Sequence, residues 1–227
     1  MDSPHELSGI KVVSLFVEAP FFTRCFIWLR WKMTPYARMA SALPSRGRVL
    51  DLGCGHGLLA IMLCASSDER EIIGIDHDAS RVRLAGNAMA RSANDRRSTF
   101  EVGDLERALS KFADRSLAGI AMIDVLHYFD SEAQNALLQQ AARVLEAGGV
   151  LAIREVDSDG GVAATWNRLY ENAATRVGFT RSARRHLQFR SAGAWTKMLE
   201  GAGFTVSSEP CGSPIFSDVL FIGIRTA

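Results

Sequence analysis

The stretch RVLDLGCGHGLLAIML, residues 48–63, places a short apolar run, an aspartate and three alternating glycines directly before a helix-like segment. Residues 48–52 predict a buried strand, and residues 57–66 predict a helix. Glycine allows the tight turn between them and lets a ligand approach the main chain without meeting a Cβ atom. N–H groups at the start of the helix also suit a carboxylate or a phosphate. The pattern therefore predicts a ligand-binding loop, with glycines at Gly53, Gly55 and Gly57.

The alternation of strand and helix continues after this loop. Short apolar runs predict further strands at 71–76, 98–104, 117–126 and 150–156. Amphipathic segments predict one helix at about 78–92, capped by Asp78 or Ser80, and another at 131–149, capped by Ser131. Such an alternation implies a parallel sheet with helices on both of its faces.

The last third of the chain predicts two more helices, at 162–177 and 192–204, and then strands at 205–209 and 218–224. The two strands are too close in sequence for a crossover helix, so they predict an antiparallel hairpin. We therefore expect an α/β fold with a mostly parallel, doubly wound sheet of seven strands, of which the last strand is antiparallel.

Composition is that of a globular protein. The chain has 227 residues, 48% of them hydrophobic and 22% charged, which fits one α/β domain with additions or two small domains. No apolar run approaches the roughly twenty residues of a membrane span, and none is typical of a signal peptide. Four scattered cysteines without a CxxC pair argue against a zinc site and against disulfides, so we expect a cytoplasmic protein without a metal. The cysteines are Cys25, Cys54, Cys64 and Cys211.

Charge is unevenly distributed, although the net charge is only +1. Residues 1–48 carry seven Lys or Arg against three Asp or Glu, and residues 161–190 carry six against one. Residues 49–160 are acidic, with eighteen acids against eleven bases. A near-zero net charge lacks the basic footprint of nucleic-acid binding, which we therefore do not expect. This asymmetry between an acidic middle and two basic flanks requires an explanation.

Acids and glycines stand at the ends of the predicted strands. Asp76 ends the second strand, 25 residues after Asp51, where a carboxylate can accept the two hydroxyls of a ribose. Asp104 ends the third strand, where it can meet an adenine amino group. The glycine spacing is GxGxG, and Leu58 stands where the dinucleotide fingerprint GxGxxG has its third glycine. This spacing and the antiparallel last strand oppose a nicotinamide-dependent dehydrogenase.

The ordered segments VLDLGCGHG, GID, VGDL, AMIDVLHYF and LEAGGVLAIREVD resemble the motifs of the class I S-adenosylmethionine-dependent methyltransferases of the small-molecule type. The resemblance covers residues 47 to about 157 and extends to the MLEGAGF helix and the terminal hairpin. It implies a Rossmann-like methyltransferase fold, an enzyme, and S-adenosyl-L-methionine as the cofactor. The fourth strand is not followed by the proline-containing motif of enzymes that methylate exocyclic amines of bases.

The resemblance also implies roles for single residues. The glycines and Cys54 would face the methionine part of the cofactor, above Asp51, which would help to hold its ammonium. Asp76 would bind the ribose, and His77 would lie beside the adenine. The whole predicted cofactor set is Asp51, Gly53, Cys54, Gly55, Gly57, Asp76, His77, Asp104, Leu105 and Asp124.

Two basic segments lie outside the predicted cofactor core. We interpret residues 1–46 as an N-terminal helical lid and residues 47–227 as the methyltransferase domain, with a substrate-side insertion at about 158–190. Both segments mix aromatic residues with arginines. They therefore predict an apolar pocket with a basic rim, suited to a small anionic aromatic or lipophilic molecule or to an acyl chain on a carrier protein. Two alternatives for the first segment are helices that pack on the sheet with solvated arginines, and residues 14–31 lying on an anionic membrane surface.

Candidates for proton transfer follow the fourth and fifth strands. His127 could act as a general base near neutral pH, or could serve only in packing. Glu155 and Asp157 could orient a substrate, or could cap the next segment. The remaining candidates are Tyr128 and His186.

We expect methyl transfer to a small acceptor, with oxygen favoured over carbon and nitrogen, in secondary or lipid metabolism. The alternative is a methyltransferase-like binding or regulatory module without catalysis. We expect the protein in the cytoplasm, or peripheral to the membrane if the N-terminal segment binds lipid.

Overall fold

The computed structural model describes residues 8–92, 97–159, 187–211 and 217–226. The predicted helix at 162–177 and the candidate His186 lie outside the described residues. A seven-stranded sheet forms the centre of the fold. Its strands are β1 (Arg46–Leu52), β2 (Glu69–Asp76), β3 (Ser98–Val102), β4 (Leu117–Ile123), β5 (Leu145–Val156), β6 (Phe204–Pro210) and β7 (Asp218–Arg225).

The strand order is β3-β2-β1-β4-β5-β7-β6. Strands β1 to β5 pair in parallel, and β7 lies antiparallel to both β5 and β6. This confirms the predicted α/β fold, its seven strands and its antiparallel last strand. From β1, the sheet continues through β2 and β3 on one side and through β4 and β5 on the other. At such a reversal of strand order, the carboxyl ends of β1, β2 and β4 meet at one crevice.

Helices cover both faces of this sheet. They are α1 (Gly9–Ser14), α2 (Phe21–Met33), α3 (Tyr36–Ala42), α4 (Leu58–Ser66), α5 (Ala79–Arg91), α6 (Leu105–Ala108), α7 (Ser131–Val144) and α8 (Ala192–Gly201). Helices α1 to α5 share one apolar core with one face of the sheet, and α6, α7 and α8 share a second core with the other face. Neighbouring strand residues alternate between the two cores, as Val49 and Leu50 do.

The boundary between α7 and β5 differs from the prediction. The helix predicted at 131–149 ends at Val144, and LEAGG begins the strand. Leu145 is buried opposite Leu117, and the register shifts between Leu117 and Gly119. Sheet pairing therefore overrides the helical pattern here. The predicted cap at Ser131 is also wrong, because Asp130 caps α7 by accepting the N–H of Ala133.

Three other predicted elements end earlier in the structure. β4 stops at Ile123 rather than at residue 126, because Asp124 has a left-handed φ of 53° and a 3-10 turn follows at Leu126–Tyr128. β3 ends at Val102, and α8 ends at Gly201. Asp78 caps α5, as predicted, by accepting the N–H groups of Ser80 and Arg81.

The N-terminal helices are bound to the rest of the fold by a buried arginine. The Arg70 guanidinium, on β2, donates to the carbonyls of Ala40, Leu43 and Pro44 at 2.8, 3.0 and 2.6 Å. It also donates to the carbonyl of Leu63 at 3.1 Å. The carbonyls of Ala40 and Leu63 lie within α3 and α4, and those of Leu43 and Pro44 follow α3, so one side chain joins the N-terminal segment to the sheet.

Candidate cofactor site

The glycine loop folds back onto the end of β2. The N–H groups of Gly53 and Cys54 both donate to the carbonyl of Ile75, at 2.8 and 3.1 Å. The N–H of Gly55 donates to the Asp76 carboxylate at 2.8 Å. Gly53, Gly55 and Gly57 all have left-handed φ values, of 84°, 52° and 73°. The hydrogen bonds fix the path of this loop, and its left-handed backbone angles favour glycine at the three positions.

The three glycines serve two purposes. A Cβ on Gly53 would lie 2.8 Å from Val125, and one on Gly57 would lie 2.9 Å from Ala85, so both positions are needed for close packing inside the protein. A Cβ on Gly55 would meet nothing within 4 Å. Gly55 is therefore the position where bare backbone faces open space, as a cradle for a ligand requires.

Asp76 is both a loop anchor and a candidate ribose ligand. Its carboxylate accepts the N–H groups of Gly55 and Asp78 and lies 3.2 Å from Nδ1 of His77. Burial alone would raise its pKa, but these hydrogen bonds outweigh burial and lower the pKa of Asp76. The carboxylate is therefore ionised, and its role toward ribose hydroxyls stays a prediction.

Asp51 lies beneath the loop at the end of β1 and is 2% exposed. Burial, together with the negative charge of Asp76, raises the pKa of Asp51 to about 7. Ionisation of both carboxylates at once is unfavourable in this buried site. A cation bound between them would remove that penalty, which fits the ammonium and the sulfonium of S-adenosylmethionine.

Three other predicted cofactor residues have local roles. Asp104 is exposed and caps α6 by accepting the N–H of Glu106 at 2.9 Å, while Leu105 is buried behind it. The Cys54 side chain is buried against β2, with Sγ 3.0 Å from the Cβ position of Gly74. Their contacts with adenine and methionine stay predictions.

Asp124 belongs to a buried ion cluster that the sequence does not indicate. Its carboxylate pairs with Arg30 of α2 and with Arg154 of β5, and Arg154 also pairs with Asp218 of β7. Burial would raise the pKa of Asp124, but the positive charges of Arg154 and Arg30 outweigh burial and lower it. The cluster ties an N-terminal helix to the carboxyl edge of the sheet.

His127 and Glu155 form a second buried pair at this edge, each 1% exposed. Glu155 accepts the N–H groups of residues 125–127 through Oε1, and its Oε2 lies 2.8 Å from Nδ1 of His127. The His127 ring stacks on Phe189 at 5.1 Å and contacts Tyr128 at 4.2 Å. Glu155 thus holds the turn after β4 and orients the imidazole. Asp157 caps the following chain, accepting from Asp159 and from Ala192 at 3.0 Å.

The N-terminal segment contacts the glycine loop through His56. The His56 ring lies 6.4 Å from the ring of Phe16 and 6.0 Å from that of Phe26. Burial and the positive charge of Arg81 lower the pKa of His56 to about 4, so the ring is neutral. Sequence analysis missed His56, although it stands between two of the motif glycines, and it missed Arg30, for which no local signal exists.

This α/β fold, with bare backbone at Gly55 and paired acids beside it, fits the positive charges of S-adenosylmethionine. A sequence model of the methyltransferase domain family Methyltransf_23 matches residues 30–209. The chain belongs to this family and is an S-adenosylmethionine-dependent methyltransferase. No curated protein sequence matches the chain.

Solved structures share this fold at low sequence identity. An O-methyltransferase family protein from Burkholderia thailandensis is 20% identical, with a TM-score of 0.66 over 85% of this chain and 56% of that one. A methyltransferase of Methanosarcina mazei is 17% identical, with a TM-score of 0.62 over 83% and 97%. The [4+2]-cyclase SpnF is also 17% identical, with a TM-score of 0.64 over 84% and 82%. The chain spans little more than half of the Burkholderia protein.

The described residues lack two features. No described helix is long and apolar enough to cross a membrane. Within the same residues, no group of three or more His, Cys, Asp or Glu side chains could hold a metal ion.

Replacing Asp51 by Asn is expected to stabilise the ligand-free protein, increasingly so as pH rises from about 4 to 7. The folded state holds the Asp51 proton up to about pH 7, whereas the unfolded chain releases it near pH 4. The contribution of the Asp51 carboxyl to the free energy of unfolding is thus complete at low pH and is lost as pH rises through 7. We expect a gain of about 2 kcal/mol or more in the free energy of unfolding at pH 8.

Urea unfolding between pH 4 and 8 measures this difference, with Asp104→Asn as the control, because Asp104 is exposed and asparagine caps helices well. A difference between D51N and the original protein that stays constant with pH would contradict the assignment of the raised pKa to Asp51.

Proposed function

We propose that this methyltransferase transfers the methyl group of S-adenosylmethionine to a hydroxyl oxygen of a small aromatic or lipophilic anion, free or carried as an acyl group on a carrier protein. The bound cofactor supplies the electrophilic methyl group. The observation that carries the proposal is the buried His127–Glu155 pair, which lies between aromatic rings beside the predicted cofactor site.

The geometry of this pair suits a general base. Glu155 also accepts three backbone N–H groups, so its carboxylate is a hydrogen-bond acceptor held in place, and we assign the Nδ1–H of His127 as a donor to it. That tautomer leaves Nε2 as the basic nitrogen. A phenol or alcohol needs a proton acceptor during methyl transfer, whereas a carboxylate does not. In this proposal His127 is the base and Glu155 is a positioning residue, rather than a second catalytic group.

We infer an anionic acceptor from the positive charge of the segment that follows β5. Residues 161–190 have six bases and one acid, and they follow β5 directly after Glu155 and Asp157. The flat Phe189 ring beside His127 favours a planar acceptor, because aromatic rings gain from stacking beyond the area that they bury. Together these features favour a planar or unsaturated acid that also carries a hydroxyl group.

His127→Gln is expected to lower kcat by about a hundredfold or more, since glutamine cannot take the proton. Radiolabelled methyl transfer from S-adenosylmethionine to a panel of phenols, hydroxy acids and carboxylic acids identifies the acceptor class. Alkali releases labelled methanol from carboxyl esters but not from ethers. Glu155→Gln is expected to shift the pH dependence of kcat, because it changes the charge next to the imidazole.

S-adenosylhomocysteine affinity and melting temperature serve as controls for folding in both variants. Labelled product that is entirely alkali-labile, or an unchanged kcat in H127Q with a hydroxyl acceptor, would contradict the proposed base.

We further propose that α2 rests on an anionic lipid surface. Its solvent-facing stripe is apolar, with Phe21, Phe22, Trp28 and Leu29 exposed by 73, 75, 45 and 40%. Lys32 ends this stripe, and the acid Glu18 pairs with Arg83 and Arg91. Large exposed apolar patches mark interaction sites, and aromatic residues combined with cationic ones suit the headgroup region of anionic bilayers.

Replacing both Phe21 and Phe22 by Ser is expected to reduce co-sedimentation with phosphatidylglycerol vesicles by about tenfold, because two exposed rings no longer enter the bilayer. Ile224→Ser, an exposed apolar position on β7, is the control and should bind as before. Equal binding of all three proteins, or no preference for phosphatidylglycerol over phosphatidylcholine, would contradict the lipid surface.

A further inference from the structure

The cofactor carries a charge for which the predicted site has no partner. S-adenosylmethionine has a sulfonium, an ammonium and a carboxylate. The predicted cofactor set contains four aspartates, namely Asp51, Asp76, Asp104 and Asp124, and no lysine or arginine. A carboxylate placed among these acids would be repelled unless a donor or a cation compensates it.

Four backbone N–H groups of the glycine loop are not available to bind the carboxylate of the cofactor. The N–H groups of Gly53 and Cys54 donate to Ile75, that of Gly55 donates to Asp76, and that of Gly57 donates to the carbonyl of Cys54 at 2.8 Å. Four N–H groups of the loop are thus used inside the protein. The sequence had predicted an anion site at the N–H groups that start the helix, and α4 begins only after these four, at Leu58.

Arg30 is a cation whose charge acts on the glycine loop, where it contributes to the lowered pKa of His56 after burial and Arg81. On α2, Phe26 lies against His56 of the loop, and Arg30 follows one helical turn later, paired with Asp124. The next residue, Val125, packs under Gly53, where a Cβ would lie 2.8 Å away. Arg30 is therefore connected to both ends of this region, through Asp124 to the residue under Gly53 and through Phe26 to His56.

We propose that Arg30 binds the carboxylate of S-adenosylmethionine and exchanges its pairing with Asp124 for this carboxylate when the cofactor binds. Of the two arginines on Asp124, Arg30 has 25% of its side chain exposed and Arg154 only 6%. Asp124 therefore keeps a buried cationic partner when Arg30 turns away. The planar guanidinium also matches a carboxylate with two parallel hydrogen bonds.

This exchange connects the cofactor to the N-terminal helices. Phe26 and Arg30 lie on the same face of α2, where Phe26 contacts His56 of the loop and Arg30 contacts the carboxylate of Asp124. Cofactor binding would thus hold α2 over the site. The position of α2 would then not depend on a bound acceptor. The inference depends on S-adenosylmethionine as the cofactor but not on which acceptor is methylated.

Decarboxylated S-adenosylmethionine isolates the carboxylate, because it keeps the nucleoside, the sulfonium and the ammonium. By isothermal titration, the original protein is expected to bind S-adenosylmethionine about tenfold or more tightly than the decarboxylated form. In Arg30→Met this preference is expected to vanish or to invert. Without Arg30, the acids of the site favour the ligand with the greater positive charge.

Lys32→Met is the matched control, since it removes one positive charge from the exposed face of the same helix and should leave the preference unchanged. Arg30→Lys keeps the charge without the fork and should retain part of the preference. Equal binding of the two ligands by the original protein overturns the proposal without any variant. An equal loss of affinity for both ligands in R30M also overturns it, since Arg30 would then serve only to hold α2.

Discussion

The hydrogen bond from the N–H of Gly55 to the Asp76 carboxylate fixes the glycine loop, and the rest of the site depends on it. It joins the turn after β1 to the end of β2, so that the bare backbone of Gly55 faces outward while Gly53 and Gly57 pack inward. The same carboxylate accepts the N–H of Asp78 at the start of α5. One buried anion thereby sets the positions of a loop and a helix at the edge where parallel strands end.

Opposed charges give this edge its chemistry. Burial, with the negative charge of Asp76 as a smaller contribution, raises the pKa of Asp51 to about 7, so a cation bound beside these two carboxylates would be favoured. Asp124, in contrast, is neutralised by two arginines from distant parts of the chain. This arrangement fits a ligand that carries both positive and negative charges.

Helix α2 faces the site with one side and solvent with the other. Its inner side carries Phe26 and Arg30, and its outer side carries exposed phenylalanines and Trp28. Most surface helices turn polar residues outward. In the proposed function, this apolar outer stripe lies on the helix that contacts the glycine loop, which would place a lipophilic surface near the acceptor. The proposed membrane contact and the proposed lipophilic acceptor are thus consistent with each other.

Local patterns in the sequence predicted the order of strands, the parallel sheet with its antiparallel last strand, and the acids at the strand ends. They succeeded because buried strands and glycine turns leave signals within a few residues. They failed where distant contacts decide. The end of α7 depends on Leu145 meeting Leu117 in the sheet, and Arg30 reaches Asp124 across 94 residues. From the sequence, Glu155 could either orient a substrate or cap the next segment, and only the fold shows that it accepts three backbone N–H groups of the turn after β4.

The central claim, that the nucleoside cofactor lies against the bare backbone of Gly55, is tested most directly by the affinity of Gly55→Ala for S-adenosylhomocysteine. A Cβ at this position meets no protein atom within 4 Å, so the variant should fold with a loss of about 1 kcal/mol from its left-handed backbone. The account predicts that isothermal titration shows affinity reduced by about tenfold or more, while the melting temperature changes little. Affinity equal to that of the original protein would contradict it.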